Sequence, residues 1–445
     1  MSGIIFHDPE MTFRHYIIIP HPHQYAVWVE KADDGWHLPS YTPHDYHFGI
    51  VQQAFNLLQD TYHRTIPIGR SLSYEYDQQE KTGLVAYLAL YDQEAPLSDS
   101  GLWLARTDWL KLPREELELC EHWFIWKMQN HNRRSAWTSF DVVQKMQDWI
   151  YDLETQQRLP QITQLTQRRS WARSNIWHIE TMQGRYYFKA VPAVLKHELK
   201  LAQRLAMEGD APMVVAIHPR HPWMVMESFQ GTLLSEVKEI EVWGDALKTM
   251  ASIQQKWQVR PEEMAEFGLC IRTLSDLSRQ IALFAEDPPE QLTDQEIEHF
   301  QSIIPRIQEY CLALEAYDFP LTLIHGDLWA GNIVVDETRF RIIDWSDAMV
   351  SHPFFDLPFF LLNLESSFPD LPDAYEYLRD TYLSAWTAYA SLADLQQAFE
   401  YARVLGFCQQ ALFYKLILLP AFEPLARAEM ENMLPLFIRE VLKLL

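Results

Sequence analysis

One stretch constrains this chain more than any other: LIHGDLWAGNIVVDETRFRIIDWSDA, residues 323–348. Two strand-like runs, at 333–335 and 340–343, are separated by polar residues at 336–338, and this pattern predicts a β-hairpin. Three polar residues bracket the hairpin: Asp327, Asn332 and Asp344. A carboxylate that closes a buried strand is costly unless a cation or strong donors face it. The hairpin therefore predicts a polar functional site at its open end.

The residue types at this end suit magnesium and phosphoryl transfer. Mg²⁺ takes oxygen ligands, commonly one or two carboxylates with an amide oxygen and substrate phosphates. Asn332 and Asp344 offer an amide and a carboxylate from opposite strands of one hairpin. Asp327 lies on the loop that leads into the hairpin. A base, or a carboxylate that orients a hydroxyl group, belongs at such a position in phosphoryl transfer.

Composition excludes several classes of protein. The chain has 445 residues, 48% of them hydrophobic, which suits a soluble globular protein of two or three domains. A formal net charge of −24 leaves no basic footprint, so we expect no nucleic-acid partner. No apolar stretch approaches the ~20 residues that span a bilayer, so we expect no membrane segment. The four cysteines lie far apart with no C-x-x-C pair, which fits a reducing cytoplasm.

The motif HGDLWAGN, followed by IDW at 343–345, resembles the aminoglycoside phosphotransferase and choline kinase superfamily, whose members are relatives of protein kinases. The resemblance covers roughly residues 160–445. The paired pattern is far more specific than an isolated HGD, and the order of predicted elements also matches. The resemblance implies an α+β, two-lobed protein-kinase-like fold, with a β-rich amino lobe and a helical carboxyl lobe. It also implies a small-molecule kinase that uses ATP and Mg²⁺.

The same resemblance assigns roles to individual residues. Asp327 would orient or deprotonate the acceptor hydroxyl, His325 would brace the loop, and Asn332 and Asp344 would bind Mg²⁺. Lys189 would hold the α- and β-phosphates and pair with Glu198. The remaining implied nucleotide contacts are Ser174 and Asn175 above the phosphates, and Glu227 and Phe229 at the adenine hinge. One departure from protein kinases is visible, because no glycine-rich loop precedes Lys189.

The chain divides by sequence into four predicted parts. These are a small α+β domain at 1–130, a linker and coupling helix at 131–159, the amino lobe at 160–230 and the carboxyl lobe at 231–445. The first part resembles a Nudix domain in its layout, but its helix, HFGIVQQAFNLLQDTYH, lacks the catalytic glutamates. We therefore expect this domain to serve packing, ligand sensing or the formation of a homo-oligomer.

Several alternatives stay open at this stage. The kinase-like part could be a catalytically silent module that binds a nucleotide or another ligand. The phosphate acceptor could be an aminoglycoside, an amino alcohol such as choline, a sugar, a homoserine-like compound or a glycated amine. The acidic residues Asp347, Glu365 and Asp370 would suit a cationic acceptor. Asp356 is interpreted as a helix cap rather than a substrate contact.

A cluster of histidines in the first part is the weakest candidate for a metal site. His21 and His23 flank Pro22 in a predicted turn, and His44 and His47 follow without an accompanying carboxylate pattern. Ligand spacings typical of metal sites are absent from this stretch of sequence. We therefore interpret these histidines as turn and surface residues.

Overall fold

The structure is a computed structural model that describes residues 12–44, 49–77, 81–129, 136–229, 231–258, 260–337, 339–430 and 432–445. Its contacts divide these residues into two compact units. The first unit holds the described residues up to Pro192, together with Val215–Ser228 and Phe422–Glu429. The second unit holds Ala193–Val214, Phe229–Ala421 and Met430–Leu445. The chain therefore passes between the units several times rather than once.

Short strands and two helices build the amino-terminal part of the first unit. They are β1 Thr12–Ile18, β2 Ala26–Ala32, β3 Gly35–His37, β4 Ser40–Tyr41, α1 Gln52–Tyr62, β5 Ile68–Asp77, β6 Thr82–Ala89, β7 Gly101–Ala105 and α2 Arg114–Met128. A mixed sheet has the order β4-β1-β6-β5, with β1 parallel to β6, and a second sheet has the order β3-β2-β7. The described residues of this part therefore combine strands and helices, while a separate small domain and its likeness to a Nudix domain stay predictions.

The predicted amino lobe is an antiparallel sheet of five strands in the order β11-β12-β10-β9-β8. It follows helix α3, and these elements are α3 Phe140–Thr155, β8 Ile162–Trp171, β9 Ser174–Thr181, β10 Gly184–Ala190, β11 Val214–Ile217 and β12 Trp223–Glu227. Gly184 follows the turn that joins β9 to β10.

Helix α3 links the first domain to this sheet through a shared core. Its predicted apolar stripe is buried, including Met146 and Ile150, and Trp149 contacts the rings of Phe188 and Trp223 on the sheet. One continuous cluster of buried side chains runs through the first domain, α3 and the sheet. The contacts therefore do not separate residues 1–130 from the amino lobe, and the four-part division remains a prediction. Residues 130–135 of the predicted linker lie outside the described part of the chain.

The second unit is mostly helical. Its longer helices are α4 His197–Glu208, α5 Ile240–Trp257, α6 Pro261–Phe267, α7 Leu274–Glu286, α8 Asp294–Glu315, α11 Ala374–Ser384, α12 Leu392–Phe413 and α14 Met433–Leu444. Two single-turn helices, α9 Leu357–Phe360 and α10 Leu364–Ser367, precede α11. The short helix α13 Pro424–Ala428 belongs to the first unit. Gly209 ends α4 in the left-handed conformation, as its position in the sequence predicts.

Two small sheets hold the loop that carries the predicted site. One has the order β13-β16-β17, with β13 Thr232–Leu233, β16 Ile333–Asp336 and β17 Arg339–Ile342. The other has the order β14-β18-β15, with β14 Cys270–Ile271, β15 Thr322–Ile324 and β18 Met349–Ser351. The HGD loop therefore leaves one sheet after β15 and enters the other at β16. Residue 338 of the predicted turn is not among the described residues.

We expected no stretch of the chain to be long and apolar enough to span a bilayer, and this expectation about the sequence was wrong. Among the described residues, the helical stretch Leu392–Ala421 is long and apolar enough to do so. Most of it, 72% of the apolar window, is buried inside the protein. It packs against α7, α8 and α14, so its apolar character is explained by its place in the core of the second unit.

Candidate active site

The open end of the β16–β17 hairpin brings Asn332 and Asp344 together. The hairpin register pairs Ile333 with Ile342. One residue further out, the N–H of Ile343 donates to the carbonyl oxygen of Asn332 at 2.9 Å. Asn332 therefore lies across from Ile343, and Asp344 follows at the same end of the two strands. The predicted hairpin is confirmed, with its polar residues at one end.

A hydrogen bond fixes the orientation of the Asn332 side chain. Its Nδ2 donates to the carbonyl oxygen of Asp327 at 2.9 Å, across the loop that carries the HGD motif. The amide nitrogen is thereby committed, so the amide oxygen is the atom left to bind a ligand. The preceding residue is Gly331, where a Cβ would overlap the ring of Trp329, so a larger residue here would require that ring to move.

His325 connects the loop to the hairpin. The N–H of Asp327 donates to Nδ1 of His325 at 3.2 Å, and Nε2 lies 2.9 Å from the carbonyl oxygen of Ile343. A carbonyl can only accept, so the imidazole carries its proton on Nε2 and accepts with Nδ1. The ring is fully buried and lies against the indole of Trp345. Asp327 is itself buried, with 8% of its surface exposed.

Asp356 holds the start of the loop, and the sequence interpretation of this residue was wrong. Its side chain makes no capping bond to the helix that follows. Instead, its oxygens accept the N–H of His325 at 2.9 Å, the N–H of Gly326 at 2.8 Å and Nε2 of Gln254 at 3.1 Å. Complete burial raises the pKa of Asp356 to about 6. The signal in the sequence was a lone acid within the apolar run HPFFDLPFF, which needs buried donors.

Asp344 occupies a strained backbone conformation. Its φ of 63° and ψ of 59° place it in the left-handed region, which costs a non-glycine residue about 1 kcal/mol or more. Its side chain does not cap the helical turn Trp345–Asp347 that follows. Strain of this kind is retained at functional sites, where the surrounding structure determines the backbone. Within the same unit, helix α4, which carries the buried Glu198, packs against this turn.

Lys189 lies in the middle of the five-stranded sheet, in the first unit. It stands on β10 between Met224 of β12 and Ile176 of β9, and only 7% of its surface is exposed. Because β10 is a central strand and Lys189 is buried, this lysine is not a solvent-facing residue of an edge strand.

The hairpin of β8 and β9 carries Ser174 and Asn175 at its turn. The hydroxyl of Ser174 accepts the indole N–H of Trp171 at 2.8 Å. Asn175 is fully buried, donates to Ser170 Oγ at 3.0 Å and accepts from the indole of Trp177 at 2.6 Å. The side chain of Asn175 could therefore meet a phosphate only by breaking these two bonds, which leaves backbone groups as the better candidates at this turn.

The predicted hinge residues lie where the chain passes from one unit to the other. Glu227 is the last residue of β12, is exposed and pairs in register with Tyr186. The boundary between the units falls between Ser228 and Phe229. The hinge role of Glu227 and Phe229 and their contact with adenine remain predictions.

Three acidic residues were considered for a cationic acceptor, and one of them is enclosed. Asp347 is fully buried, and its Oδ2 accepts Nε2 of Gln410 at 3.1 Å. Glu365 and Asp370 are exposed at the surface of the second unit. Asp347 is thus an internal hydrogen-bonded group and does not line an open acceptor site.

The early histidines have ordinary structural roles where they are described. Nδ1 of His21 accepts the backbone N–H groups of His23 and Gln24 at 3.1 and 3.2 Å, which closes a turn. His44 lies where the chain bends, and His47 is not among the residues that the structure describes.

The groups at the open end of the hairpin fit a divalent metal ion by their chemistry. Asn332 offers an amide oxygen whose orientation is fixed, and Asp344 offers a carboxylate just beyond the end of β17. Oxygen ligands of this kind suit Mg²⁺, which leaves the remaining positions to water and phosphate oxygens. The carbonyl oxygen of Asp327 accepts from Asn332, so the backbone of Asp327 is held beside the side chain of Asn332.

Comparison with known proteins gives a family match over residues 165–395, to a family described as the phosphotransferase enzyme family. No curated protein matches the sequence. Similar solved structures include a spectinomycin phosphotransferase with ADP and spectinomycin, at 13% identity and TM-score 0.43, covering 67% of this chain and 98% of that chain.

Choline kinase from Cryptosporidium parvum Iowa II gives 15% identity and TM-score 0.48, with 67% and 96% coverage. Macrolide 2′-phosphotransferase from Brachybacterium faecium gives 18% identity and TM-score 0.44, covering 64% of this chain and 98% of that chain. With TM-scores below 0.5, these likenesses say nothing about a substrate.

Proposed function

Because this chain belongs to the phosphotransferase enzyme family and is therefore a small-molecule kinase, we propose that it transfers the terminal phosphoryl group of ATP to a hydroxyl group of its acceptor. Membership of the family implies a two-lobed, protein-kinase-like fold, while the amino-terminal part of the chain lies outside the matched residues 165–395. Phosphoryl transfer asks the protein mainly for positioning and charge stabilisation.

The fixed geometry of the Asp327 backbone is the observation that carries this proposal. Its N–H is bonded to His325, its carbonyl oxygen is bonded to Asn332, and His325 is bonded in turn to the hairpin. These bonds fix the backbone from which the Asp327 side chain extends, so the carboxylate is confined to a small set of rotamer positions. Asp327 then orients the acceptor hydroxyl and receives its proton as the phosphorus–oxygen bond forms.

Asn332 and Asp344 are the residues that would hold Mg²⁺. The ion, when bound, neutralises charge on the phosphate oxygens. The protein contributes one amide oxygen and one carboxylate, from residues that flank the open end of a hairpin whose register is fixed. His325 keeps this hairpin and the loop of Asp327 in one arrangement.

The nucleotide-binding residues are proposed on the family resemblance together with their positions. Lys189 holds the α- and β-phosphates, and Glu198 supplies the acidic group that the resemblance assigns to α4. Backbone groups near Glu227 and Phe229 meet adenine. At the turn of β8 and β9, Ser174 and Asn175 contribute through the backbone, since the side chain of Asn175 is already committed.

The acceptor is proposed only as a class: a small molecule with a hydroxyl group, such as an aminoglycoside, an amino alcohol or a sugar. A net charge of −24 supports the absence of nucleic acid among the partners. The cysteine pattern supports a cytoplasmic location. A homo-oligomer formed through the first domain remains part of the proposal.

A thermal shift experiment tests the nucleotide site before any acceptor is known. The midpoint of unfolding of the wild type is measured with ATP, with and without Mg²⁺, beside Asp344→Ala. Asp336→Ala is the matched control, because this carboxylate lies at the opposite end of strand β16 and pairs with Arg341. Ligand at ~100 times its Kd stabilises the native state by about 2.7 kcal/mol.

We expect a Mg²⁺-dependent shift in the wild type and in Asp336→Ala, and none in Asp344→Ala. ADP release in the presence of a panel of hydroxylated amines and sugars then identifies the acceptor class. No shift in the wild type at millimolar ATP would contradict the proposal and favour a module that binds a different ligand.

A further inference from the structure

A short segment from the carboxyl-terminal end of the chain is built into the first unit. Phe422–Glu429 clusters with the first unit, although the residues up to Ala421 and from Met430 belong to the second. Two of its acidic residues, Glu423 and Glu429, meet Arg70 of strand β5. Only 1% of the Arg70 side chain is exposed. A buried guanidinium between two carboxylates is a built arrangement, because each charge would be costly to bury alone.

Glu429 connects Arg70 to the turn of β8 and β9. One carboxylate oxygen accepts Nη2 of Arg70 at 2.8 Å and the hydroxyl of Ser71 at 3.2 Å. The other oxygen accepts the backbone N–H of Ala172 at 2.7 Å. Nη1 of Arg70 pairs with Glu423, and Nε donates to the carbonyl oxygen of Ser71 at 2.9 Å. Each of the three guanidinium nitrogens of Arg70 therefore donates to an acceptor.

The turn that Glu429 holds is the one proposed to lie over the phosphates. Trp171 pairs with Ser174, so Ala172 and Arg173 are the two residues of the turn. On the next strand, Lys189 lies across from Ile176 of the same hairpin. The turn contains no glycine. Its backbone therefore lacks the freedom with which glycine-rich loops adapt to phosphate groups, and its placement depends on what surrounds it.

The surroundings of this turn come from the first domain. The N–H of Ser170 donates to the carbonyl oxygen of Gly49 at 2.9 Å, and its hydroxyl donates to that of Gly69 at 2.7 Å. The indole of Trp137 donates to the carbonyl oxygen of Trp171 at 3.1 Å. Together with Glu429, these bonds attach both ends of the turn to groups outside the five-stranded sheet.

We propose that Glu429, held by Arg70, is a positioning residue for the nucleotide: it fixes the glycine-free β8–β9 turn against the first domain. The inference rests on the proposed function and deepens it, because it gives the first domain a task at the same site. A glycine-rich phosphate loop is positioned by its own sequence. Here hydrogen bonds from the first domain position the β8–β9 turn instead. Glu429 does not touch the reacting groups, and it acts through the backbone of Ala172.

The test compares Glu429→Ala with Glu429→Gln and with the control Glu440→Gln. Gln keeps one oxygen that accepts a hydrogen bond but loses the charge that pairs with Arg70. Glu440 is on α14 and pairs with Lys443 in the second unit. Measured quantities are the Kd for Mg·ATP, the KM for ATP, the KM for the acceptor and kcat. A structural role alone would lower the amount of folded protein and would leave these constants unchanged.

We expect Glu429→Ala to weaken Mg·ATP binding and raise the KM for ATP roughly tenfold, as fits the loss of a charge-assisted hydrogen bond. Glu429→Gln should show a smaller change, while the KM for the acceptor and the constants of Glu440→Gln stay at the wild-type values. Folded Glu429→Ala with an unchanged Kd for Mg·ATP would overturn the inference while the proposed function stands. A wild type that binds no nucleotide would overturn both.

Hydrogen exchange provides a second measurement if Glu429→Ala does not fold. In the wild type, the amide of Ala172 should be protected, because it donates to a buried carboxylate. In Glu429→Gln its protection should fall, and added Mg·ATP should restore part of it. Rapid exchange of this amide in the wild type would overturn the inference.

Discussion

His325 and Ile343 are joined by a hydrogen bond from the imidazole Nε2–H to the backbone carbonyl oxygen, at 2.9 Å. Through this bond the loop that carries Asp327 and the hairpin that carries Asp344 form one arrangement. Replacing His325 by Ala removes the acceptor of the Asp327 N–H and the donor to Ile343. Two backbone groups then lose their partners.

We expect His325→Ala to lower the free energy of unfolding by about 2–4 kcal/mol, since an unsatisfied buried group such as the Asp327 N–H costs about 1–3 kcal/mol and the half-buried carbonyl group of Ile343 costs less. Denaturant titration measures the change. Because the loop of Asp327 is then no longer held, kcat should also fall in whatever folded protein remains. Unfolding at the wild-type denaturant concentration would contradict this bracing role.

Asp327→Asn should leave the fold and the binding of Mg·ATP unchanged and should lower kcat by roughly 10²–10⁴-fold, the range for a lost general base. The amide has the same shape as the carboxylate, so only the charge and proton affinity differ. Steady-state kinetics with the identified acceptor measure the change in kcat, and the thermal shift with Mg·ATP measures whether nucleotide binding is unchanged. Asp336→Asn is the control, and equal activity of Asp327→Asn would remove this residue from its proposed role.

Asp356→Ala should destabilise the protein strongly, by about 3 kcal/mol or more, because three buried donors lose their acceptor. Asp356→Asn should be milder, since it keeps one acceptor oxygen of the same shape. Equilibrium unfolding of both variants provides the comparison. If the two variants were equally stable, the hydrogen bonds to the loop would not be the reason that this acid is buried.

His352 should make the protein less stable in acid. Burial lowers its pKa from 6.5 to about 3, and Nδ1 accepts the N–H of Phe354. Between these values the unfolded chain binds a proton that the folded protein does not. Stability from this residue is therefore present above pH 6.5 and is lost as the pH falls, by up to about 1.4 kcal/mol per pH unit.

His352→Asn removes the titrating group and keeps a good N-cap acceptor. The variant should lose less stability than the wild type between pH 6.5 and pH 4. Unfolding curves across this interval measure the difference between the two slopes. Identical slopes would show that His352 is protonated in the folded protein.

Much of the candidate site could be predicted from local signals in the sequence. The period of the apolar runs predicts both strands of the hairpin, and the short spacing from Asp327 to Asn332 predicts that they face one end of it. These residues are close in sequence, so geometry within one hairpin was enough to relate them. The central strand that carries Lys189 follows in the same way from the aromatic and apolar residues of RYYFKAV.

Residues that act across long separations were not recognisable. Asp356 follows the loop by 30 residues, and only the fold shows that its carboxylate turns back to the loop instead of capping a helix. Glu429 and Ala172 are 257 residues apart, and no periodicity relates them. The common core of the first domain and the five-stranded sheet was also missed, because each half is a plausible unit by its own apolar pattern.

The separation of 353 residues between Arg70 and Glu423 has a consequence for biosynthesis. A ribosome that has completed the whole five-stranded sheet has not yet made the carboxylates that neutralise the buried guanidinium. The first unit therefore cannot reach its final form during most of translation, and it can complete its folding only when the chain is nearly finished. A nascent or prematurely terminated product that stops before Phe422 would carry a buried cation without its counter-ions, which marks it for unfolding and degradation.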